Sequence, residues 1–283
     1  MRLHPGKLPM PELPEVETVV RTLRPHVTGR RIIAVDLRRT DILEPTGSDL
    51  RTLLQGRTIQ SIERRGKRIV FSLDDGNAFY IHLGMSGKLT VELPDSVVRK
   101  HTHLIIATTD AQLRFCDPRR FGGIWWLGKE KSPDHDMGPE PLHMRPEQFL
   151  RNLHRTKRAI KTALLDQRLV AGLGNIYADE ALFLAKIHPQ KPANRLTKSE
   201  VTKLNLAIKQ TLKAAIKHKG SSLRDYTDGN GRQGKYQHRH QVYHRTDQPC
   251  GVCDKPIQRI VLGGRSTHFC SNCQRRSKAA SKS

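Results

Sequence analysis

Residues 250–273 read CGVCDKPIQRIVLGGRSTHFCSNC. The segment begins and ends with a Cys-x2-Cys pair, and 16 residues separate the pairs formed by Cys250, Cys253, Cys270 and Cys273. Four thiolates delivered from two tight turns are the ligand set of a tetrahedral structural zinc site. Because protein atoms fill all four positions, no water can bind the metal for catalysis. The spacing therefore predicts a zinc ribbon over residues 240–276 that holds one structural Zn²⁺.

Positive charge is concentrated in the half of the chain that carries this ribbon. The 283 residues include 50 Lys+Arg and 27 Asp+Glu, a net charge of +23. Residues 151–283 hold 27 basic and 8 acidic residues, a net of +19, whereas residues 1–150 hold 23 and 19, a net of +4. Lys and Arg side chains bind a phosphate backbone by releasing its counterions, so the asymmetry favours a nucleic-acid partner. General solubility is the alternative explanation.

The sequence indicates a cytoplasmic protein without a membrane partner. No stretch approaches the ~20 apolar residues of a membrane span, and prolines interrupt the N-terminus where a signal peptide would be apolar. In such a chain, clustered cysteines favour metal binding over disulfides. Cys116 stands apart from the ribbon and is expected to be a buried small hydrophobe.

Residues 11–131 show the pattern of a β-sandwich fronted by one helix. Val16, Val19, Val20 and Leu23 follow the i, i+3, i+4, i+7 stripe of a helix that starts at Pro14. Short apolar runs follow, of which residues 69–73 and 78–83 flank an Asp-Asp-Gly-Asn turn and predict a hairpin. The sequence PELPEVE at residues 11–17 is, by itself, a proline-rich helix entry with acids at the positive end of the dipole.

The second half changes to a helical period after a proline-rich linker at residues 132–147. We expect an α+β protein of two domains, with a helical domain at residues 148–239, the ribbon after it and a disordered tail at residues 277–283. The predicted helices cover residues 147–155, 158–166, 175–186 and 197–217. Residues 218–239 have the composition of a mobile loop.

Residues 157–183, KRAIKTALLDQRLVAGLGNIYADEALF, carry a candidate phosphate contact. Glycines just before a helix leave backbone N–H groups free to meet a phosphate, with Asn175 as cap or direct contact. Lys157, Arg158 and Lys161 are expected to form a basic face beside that turn. The alternative is an ordinary pair of helices joined by a tight turn.

Together these features resemble bacterial formamidopyrimidine-DNA glycosylases, base-excision-repair enzymes that remove oxidised purines such as 8-oxoguanine from duplex DNA. The resemblance covers residue 10 to about residue 276. The motifs are PELPEVETV (11–19), RRGKR (64–68), HLGMSG (82–87), DPRRFGG (117–123), GLGNIYADEALF (172–183) and the four-cysteine ribbon. It implies an N-terminal β-sandwich, a helix-two-turns-helix domain and a monomer that acts on DNA. The LPEVETV continuation favours the purine-directed family over the related endonuclease VIII family, which remains an alternative.

The resemblance also implies the roles of individual residues. The nucleophile would be the N-terminal amine of Pro11, with Glu12 as the acid, Glu15 in support, and Lys67 and Arg265 at phosphates and in the eliminations. Met85, Arg119 and Phe121 would fill the gap left by the extruded base. His101, Arg119, Lys157 and Asn175 would contact DNA, and loop 218–239 would cover the lesion.

One departure from the family pattern concerns the nucleophile. Pro11 is an internal residue of this sequence, and an amide nitrogen cannot form a Schiff base. We therefore expect that translation starts at Met10 or that residues 1–10 are removed. If they are retained, the alternative is a catalytically blocked DNA-binding protein.

Overall fold

The computed structural model describes residues 10–129 and 131–276. Residues 1–9 of the expected extension and the expected tail at residues 277–283 lie outside the described residues. The chain divides into two compact units. One consists of Met10–His135 with Ala215–Gln237, and the other of Asp136–Ala214 with the described residues from His238 on. The expected domain boundaries at residues 131, 147 and 239 stay predictions.

In the described part of the first unit there are two α-helices and nine strands. The helices are α1 (Leu13–Val27) and α2 (Leu50–Leu54). The strands are β1 (Ile32–Leu37), β2 (Leu43–Glu44), β3 (Ile59–Arg65), β4 (Arg68–Leu73), β5 (Ala78–His82), β6 (Lys88–Glu92), β7 (Thr102–Thr108), β8 (Gln112–Cys116) and β9 (Gly123–Gly128). They form a four-stranded sheet of order β1-β7-β8-β6 and a five-stranded sheet of order β2-β9-β5-β4-β3.

One hydrophobic core joins α1 to both sheets. Val16, Val19, Val20 and Leu23, the predicted stripe of α1, are fully buried in the same cluster as side chains from both sheets. Burying each aliphatic side chain contributes about 1.5–3 kcal/mol, so the stripe fixes α1 on the sheets. The predicted hairpin is β4 with β5, paired antiparallel.

The segment Ala215–Gln237 belongs to this first unit although the residues on both sides of it in sequence belong to the second. The Gly229 N–H donates to Thr22 Oγ1 at 2.9 Å, and the Val91 N–H donates to the Gly229 carbonyl at 2.9 Å. We call this segment the return loop. It lies against α1 and β6.

The described residues of the second unit contain three α-helices, most of a fourth and a two-stranded ribbon. They are α3 (Pro146–His154), α4 (Ile160–Leu164), α5 (Asn175–Leu184), α6 (Lys198–Lys217), β10 (Gln258–Leu262) and β11 (Arg265–Phe269). All four predicted helices are present, and α4 is shorter than expected. The predicted α+β class, with N-terminal β-sheets, helical domain and four-cysteine ribbon, is confirmed.

Cys116 is less buried than the sequence predicts. Cys116, expected to be buried, is only half-buried at the end of β8, and its thiol donates to the Lys100 carbonyl at 3.4 Å. Partial burial raises the pKa of this thiol.

Every helix of the described residues is too short or too polar to cross a membrane.

Candidate functional site

The N-terminus of α1 places two buried carboxylates beside Pro11. Glu12 is the N-cap residue, and its backbone N–H donates to Glu15 Oε2 at 2.9 Å. The Glu12 carboxylate accepts in turn from the Glu15 backbone N–H, which completes a capping box. Glu12 and Glu15 are each 2% exposed. The positive end of the helix dipole favours carboxylates here, so the sequence PELPE fixes both acids next to Pro11.

Lys67 lies in the turn between β3 and β4 and is mostly buried. It lies close to His82 at the end of β5. Burial, followed by the positive charges of Lys67 and Arg68, lowers the pKa of His82 to about 4. Since His82 is therefore neutral at pH 7, its Nδ1 accepts the Gly84 N–H at 3.1 Å. The candidate cation thus lies near the turn that carries the HLGMSG motif.

Asp117 joins the two loops that carry the expected intercalating residues. Its side chain is completely buried and accepts from Ser86 Oγ at 2.5 Å and from the Gly122 N–H at 2.8 Å. The Arg119 N–H donates to Ser86 Oγ at 3.2 Å. A Cβ added to Gly84 would lie 2.3 Å from the Gly122 nitrogen, so only glycine allows this approach.

The three expected intercalating residues project from these loops. Phe121 is 55% exposed, Arg119 is exposed, and Met85 is half-buried. The Arg119 guanidinium lies 4.9 Å from the centre of the Phe121 ring. An apolar ring left in solvent beside a cation suits insertion between bases. His101 is also exposed, and its carbonyl accepts the Asp117 N–H at 3.0 Å.

In the second unit, the turn before α5 holds Asn175 against the ribbon. Asn175 is the first residue of α5, and its Nδ2 donates to Ser266 Oγ at 3.2 Å. Lys157 is exposed. Arg158, by contrast, forms an ion pair with Asp166 at 2.8 Å.

Lys161 corrects the expectation of a basic face. It is fully buried, and its Nζ donates to the Asn175 carbonyl at 2.8 Å and to Asp179 Oδ1 at 2.5 Å. Asp179 Oδ2 accepts both the His268 N–H at 2.9 Å and the His268 ring nitrogen at 3.1 Å. The lysine therefore connects α4, α5 and β11 in the interior, and only Lys157 and Arg158 of the three expected cations are exposed.

Glu180 makes a second tie from α5. Its carboxylate accepts the backbone N–H groups of Gln241, Val242 and Tyr243 at 2.8, 3.0 and 2.9 Å. Burial raises the pKa of this carboxyl. Asp117, Asp179 and Glu180 were not among the residues predicted from the sequence. Adjacent acids in a helix as apolar as NIYADEALFL were the signal that could have identified the last two.

The four cysteines form a cluster of the size that zinc requires. Their Sγ atoms all lie within 4.8 Å of one another, and three of the distances are 3.5, 3.6 and 3.9 Å. A tetrahedron with Zn–S bonds of about 2.3 Å has sulfur–sulfur edges of about 3.8 Å. Cys250 and Cys270 are fully buried, so the donor set and its spacing fit one structural zinc.

The ribbon carries Arg265 at its tip. β10 and β11 pair antiparallel, with Leu262 opposite Arg265. Gly263 and Gly264 between them have φ of +55° and +71°, as a tight hairpin turn requires. Arg265 is half-buried directly after that turn. The first unit thus holds Pro11, Glu12, Glu15, Lys67 and the intercalating residues, and the second holds Lys157, Asn175, Arg265 and the cysteines.

Comparison with known families gives three matches in chain order. The formamidopyrimidine-DNA glycosylase N-terminal domain matches residues 10–124, the H2TH domain of the same enzymes matches residues 137–227, and a zinc finger found in FPG and IleRS matches residues 247–276.

Individual proteins are similar over most of the chain. The chain is 46% identical to a formamidopyrimidine-DNA glycosylase of Desulforamulus reducens, over 94% of this chain and 99% of that protein. It is 48% identical to the enzyme of the same name from Bacillus licheniformis, over 94% and 100%.

Solved structures agree with this similarity. Lactococcus lactis Fpg in complex with DNA containing N7-benzyl-Fapy-dG has a TM-score of 0.87 and 40% identity, over 94% of this chain and 100% of that one. The complex of Lactococcus lactis Fpg with DNA containing an abasic site has a TM-score of 0.88 at the same identity and coverage.

Proposed function

The chain belongs to the formamidopyrimidine-DNA glycosylase family, and we propose that it excises oxidised purines from duplex DNA and cleaves the strand at the resulting abasic site. The observation that carries the proposal is the pair of buried carboxylates, Glu12 and Glu15, fixed beside Pro11 at the start of α1. Both acids cap α1, and the same placement puts Glu12 directly after the expected nucleophile. The matched family gives the substrate class, 8-oxoguanine and formamidopyrimidines.

The first step is attack on the sugar. The neutral amine of Pro11 forms a bond to C1′ of the damaged nucleotide, and the glycosidic bond breaks as the base leaves with its electron pair. Glu12 donates a proton to the sugar ring oxygen or to the departing base. The bonded amine passes its proton to whichever of the base and O4′ Glu12 does not protonate, the C1′–O4′ bond opens, and a C1′ iminium joins the protein to DNA. An N-terminal amine with a pKa near ~8 is partly neutral at physiological pH, so attack is possible there.

Strand cleavage follows from the iminium. Loss of a C2′ proton expels the 3′ phosphate, a second elimination expels the 5′ phosphate, and water then releases Pro11 as the free amine. Lys67 holds the neighbouring phosphate and assists the first elimination. Arg265 at the ribbon tip holds a phosphate and assists the second. Both cations stabilise charge that develops on the leaving phosphates.

Extrusion of the base leaves a gap that the exposed loops of the first unit fill. Unstacking costs a few kcal/mol per step, which inserted side chains offset. Met85 and Phe121 support the stack, and Arg119 donates hydrogen bonds to the unpaired cytosine. His101, Lys157 and Asn175 contact the backbone. The zinc ion holds the ribbon folded, and Cys250, Cys253, Cys270 and Cys273 are its ligands.

The mechanism requires a free amine on Pro11, and we propose that the working protein begins there. Met10 precedes Pro11 directly, and the family match begins at residue 10. Translation from Met10 followed by removal of that methionine gives the required amine. The enzyme then acts as a monomer in the cytoplasm, associated with the nucleoid through DNA.

Substrate choice is tested by base release from matched duplexes. One duplex carries 8-oxoguanine opposite cytosine and the other carries an oxidised thymine opposite adenine. We expect release of 8-oxoguanine to be the faster by at least tenfold. Faster release of oxidised thymine would support the endonuclease VIII alternative instead.

A further inference from the structure

The Glu15 carboxylate is shared by two segments that are 206 residues apart in sequence. Its Oε2 accepts the Glu12 N–H at 2.9 Å, and its Oε1 accepts the Ser221 N–H of the return loop at 2.7 Å. Glu15 is 2% exposed, so its carboxylate has little room to reorient. Because both oxygens belong to one rigid group, a shift that follows Ser221 also moves the acceptor of the Glu12 N–H. Glu12 is the residue next to the nucleophile.

Further contacts hold the return loop along two turns of α1. The Tyr226 hydroxyl donates to the Glu15 carbonyl at 3.2 Å. The Gly229 N–H donates to Thr22 Oγ1 at 2.9 Å. Because these contacts lie at Glu15 and at Thr22, the loop packs along α1 over two turns.

Gly220 sets how closely the loop approaches Glu15. Its φ is +77°, and an added Cβ would lie 2.6 Å from Oε1 and 3.0 Å from Cγ of Glu15. The Gly220 carbonyl also accepts the Tyr236 N–H at 2.9 Å, which fixes the loop from its other end. Any side chain at this position would therefore push the loop and the carboxylate apart.

We propose that seating of the return loop sets the geometry of the Pro11 nucleophile, with Gly220, Ser221 and Tyr226 as positioning residues that act through Glu15. The inference rests on the proposed function of Pro11 and adds a second role to the loop. A loop that only covered a damaged base would have no effect on abasic DNA, which has no base to cover. A loop that also positions Glu15 affects iminium formation on both substrates.

The experiment compares Gly220→Ala with Gly29→Ala in a chain that begins at Pro11. Gly29 has a φ of +75° and nothing within 4 Å of an added Cβ, so it reproduces the backbone strain without the contact. Borohydride trapping is measured in single turnover on an abasic duplex, and base release on an 8-oxoguanine duplex. We expect Gly220→Ala to slow both reactions by about ten- to a hundredfold relative to Gly29→Ala, since small displacements of reacting groups have effects of that size. Affinity for a duplex containing an abasic analogue should stay within twofold.

The outcomes separate the two levels of the proposal. If the chain that begins at Pro11 and carries no substitution forms no trapped adduct, the proposed function itself fails. If it forms one and Gly220→Ala traps abasic DNA as fast as Gly29→Ala, the loop acts only on the base and the coupling is wrong. Tyr226→Phe, which removes one hydroxyl and no fold-determining contact, decides the matter if Gly220→Ala is poorly folded. We expect Tyr226→Phe to slow trapping about two- to tenfold, and an unchanged trapping rate would contradict the coupling.

Discussion

Replacing Asp179 by Asn should destabilise the second unit severely. Asp179 and Lys161 both have side chains of 0% exposure and form an ion pair of 2.5 Å. The amide leaves the buried ammonium group without a counter-charge and removes a charged acceptor from His268. Breaking a buried pair in this way costs about 3–5 kcal/mol, because the remaining charge stays desolvated.

Asp166→Asn is the matched control in the same unit. Asp166 pairs with Arg158 at 2.8 Å, but the Arg158 side chain is 46% exposed. An exposed pair of this kind contributes about 0–1 kcal/mol. In thermal unfolding monitored by circular dichroism, Asp179→Asn should lower the Tm by about 10–20 °C and Asp166→Asn by less than about 4 °C.

A second substitution tests the physical reason for the loss. Adding Lys161→Met to Asp179→Asn removes the stranded charge and should recover about 1–3 kcal/mol, since an apolar side chain suits the buried site better. If the free energies of unfolding of Asp179→Asn and Asp166→Asn differ by less than about 1 kcal/mol, the buried ion pair does not have the predicted effect. A double variant, Asp179→Asn with Lys161→Met, that is less stable than Asp179→Asn alone would also contradict the prediction.

Three further predictions concern the ribbon, one histidine and one loop. Cys253→Ser should lose zinc and bind duplex DNA more weakly, because structural zinc contributes folding free energy; unchanged zinc content by mass spectrometry and unchanged affinity would contradict this. The pKa of His82 is about 4 in the folded protein against an ordinary value of 6.5, so its stabilising contribution is complete above pH 6.5 and is lost as the pH falls to 4. At about 1.4 kcal/mol per pH unit, the free energy of unfolding falls by at most about 3 kcal/mol through this group. Urea unfolding at pH 7.5 and pH 4.5 should show a smaller fall for His82→Gln than for the unsubstituted protein. Equal falls in both proteins would refute the assignment. Gly84→Ala, whose Cβ would lie 2.3 Å from the Gly122 nitrogen, should slow 8-oxoguanine release at least tenfold, whereas Gly47→Ala, with open space at a φ of +88°, should not; equal rates would show that the loop contact is dispensable.

The parts of the fold that could be predicted depend on local patterns. The apolar stripe of α1 and the two Cys-x2-Cys pairs repeat at short, fixed intervals, and the structure contains the helix and the cysteine cluster that they predict. The family resemblance that the ordered motifs indicate is confirmed by the three family matches. These features required no knowledge of which distant residues meet.

The contacts that sequence analysis missed join residues far apart in the chain. Ser221 meets Glu15 across 206 residues, and His268 meets Asp179 across 89. Such pairings follow no period, so nothing in the sequence distinguishes Lys161 in a buried pair from Lys157 on the surface. The contacts of the return loop with α1 are long-range pairings of the same kind.

The proposed chemistry depends on a free amine on Pro11. The most direct test is borohydride trapping on an 8-oxoguanine:cytosine duplex with two chains of verified intact mass, one beginning at Pro11 and one retaining residues 1–10. We predict a covalent protein–DNA adduct with the first chain, none with the second, and a strongly reduced yield with Pro11→Gly in the first. An equal adduct yield from the chain that retains residues 1–10 would contradict the account.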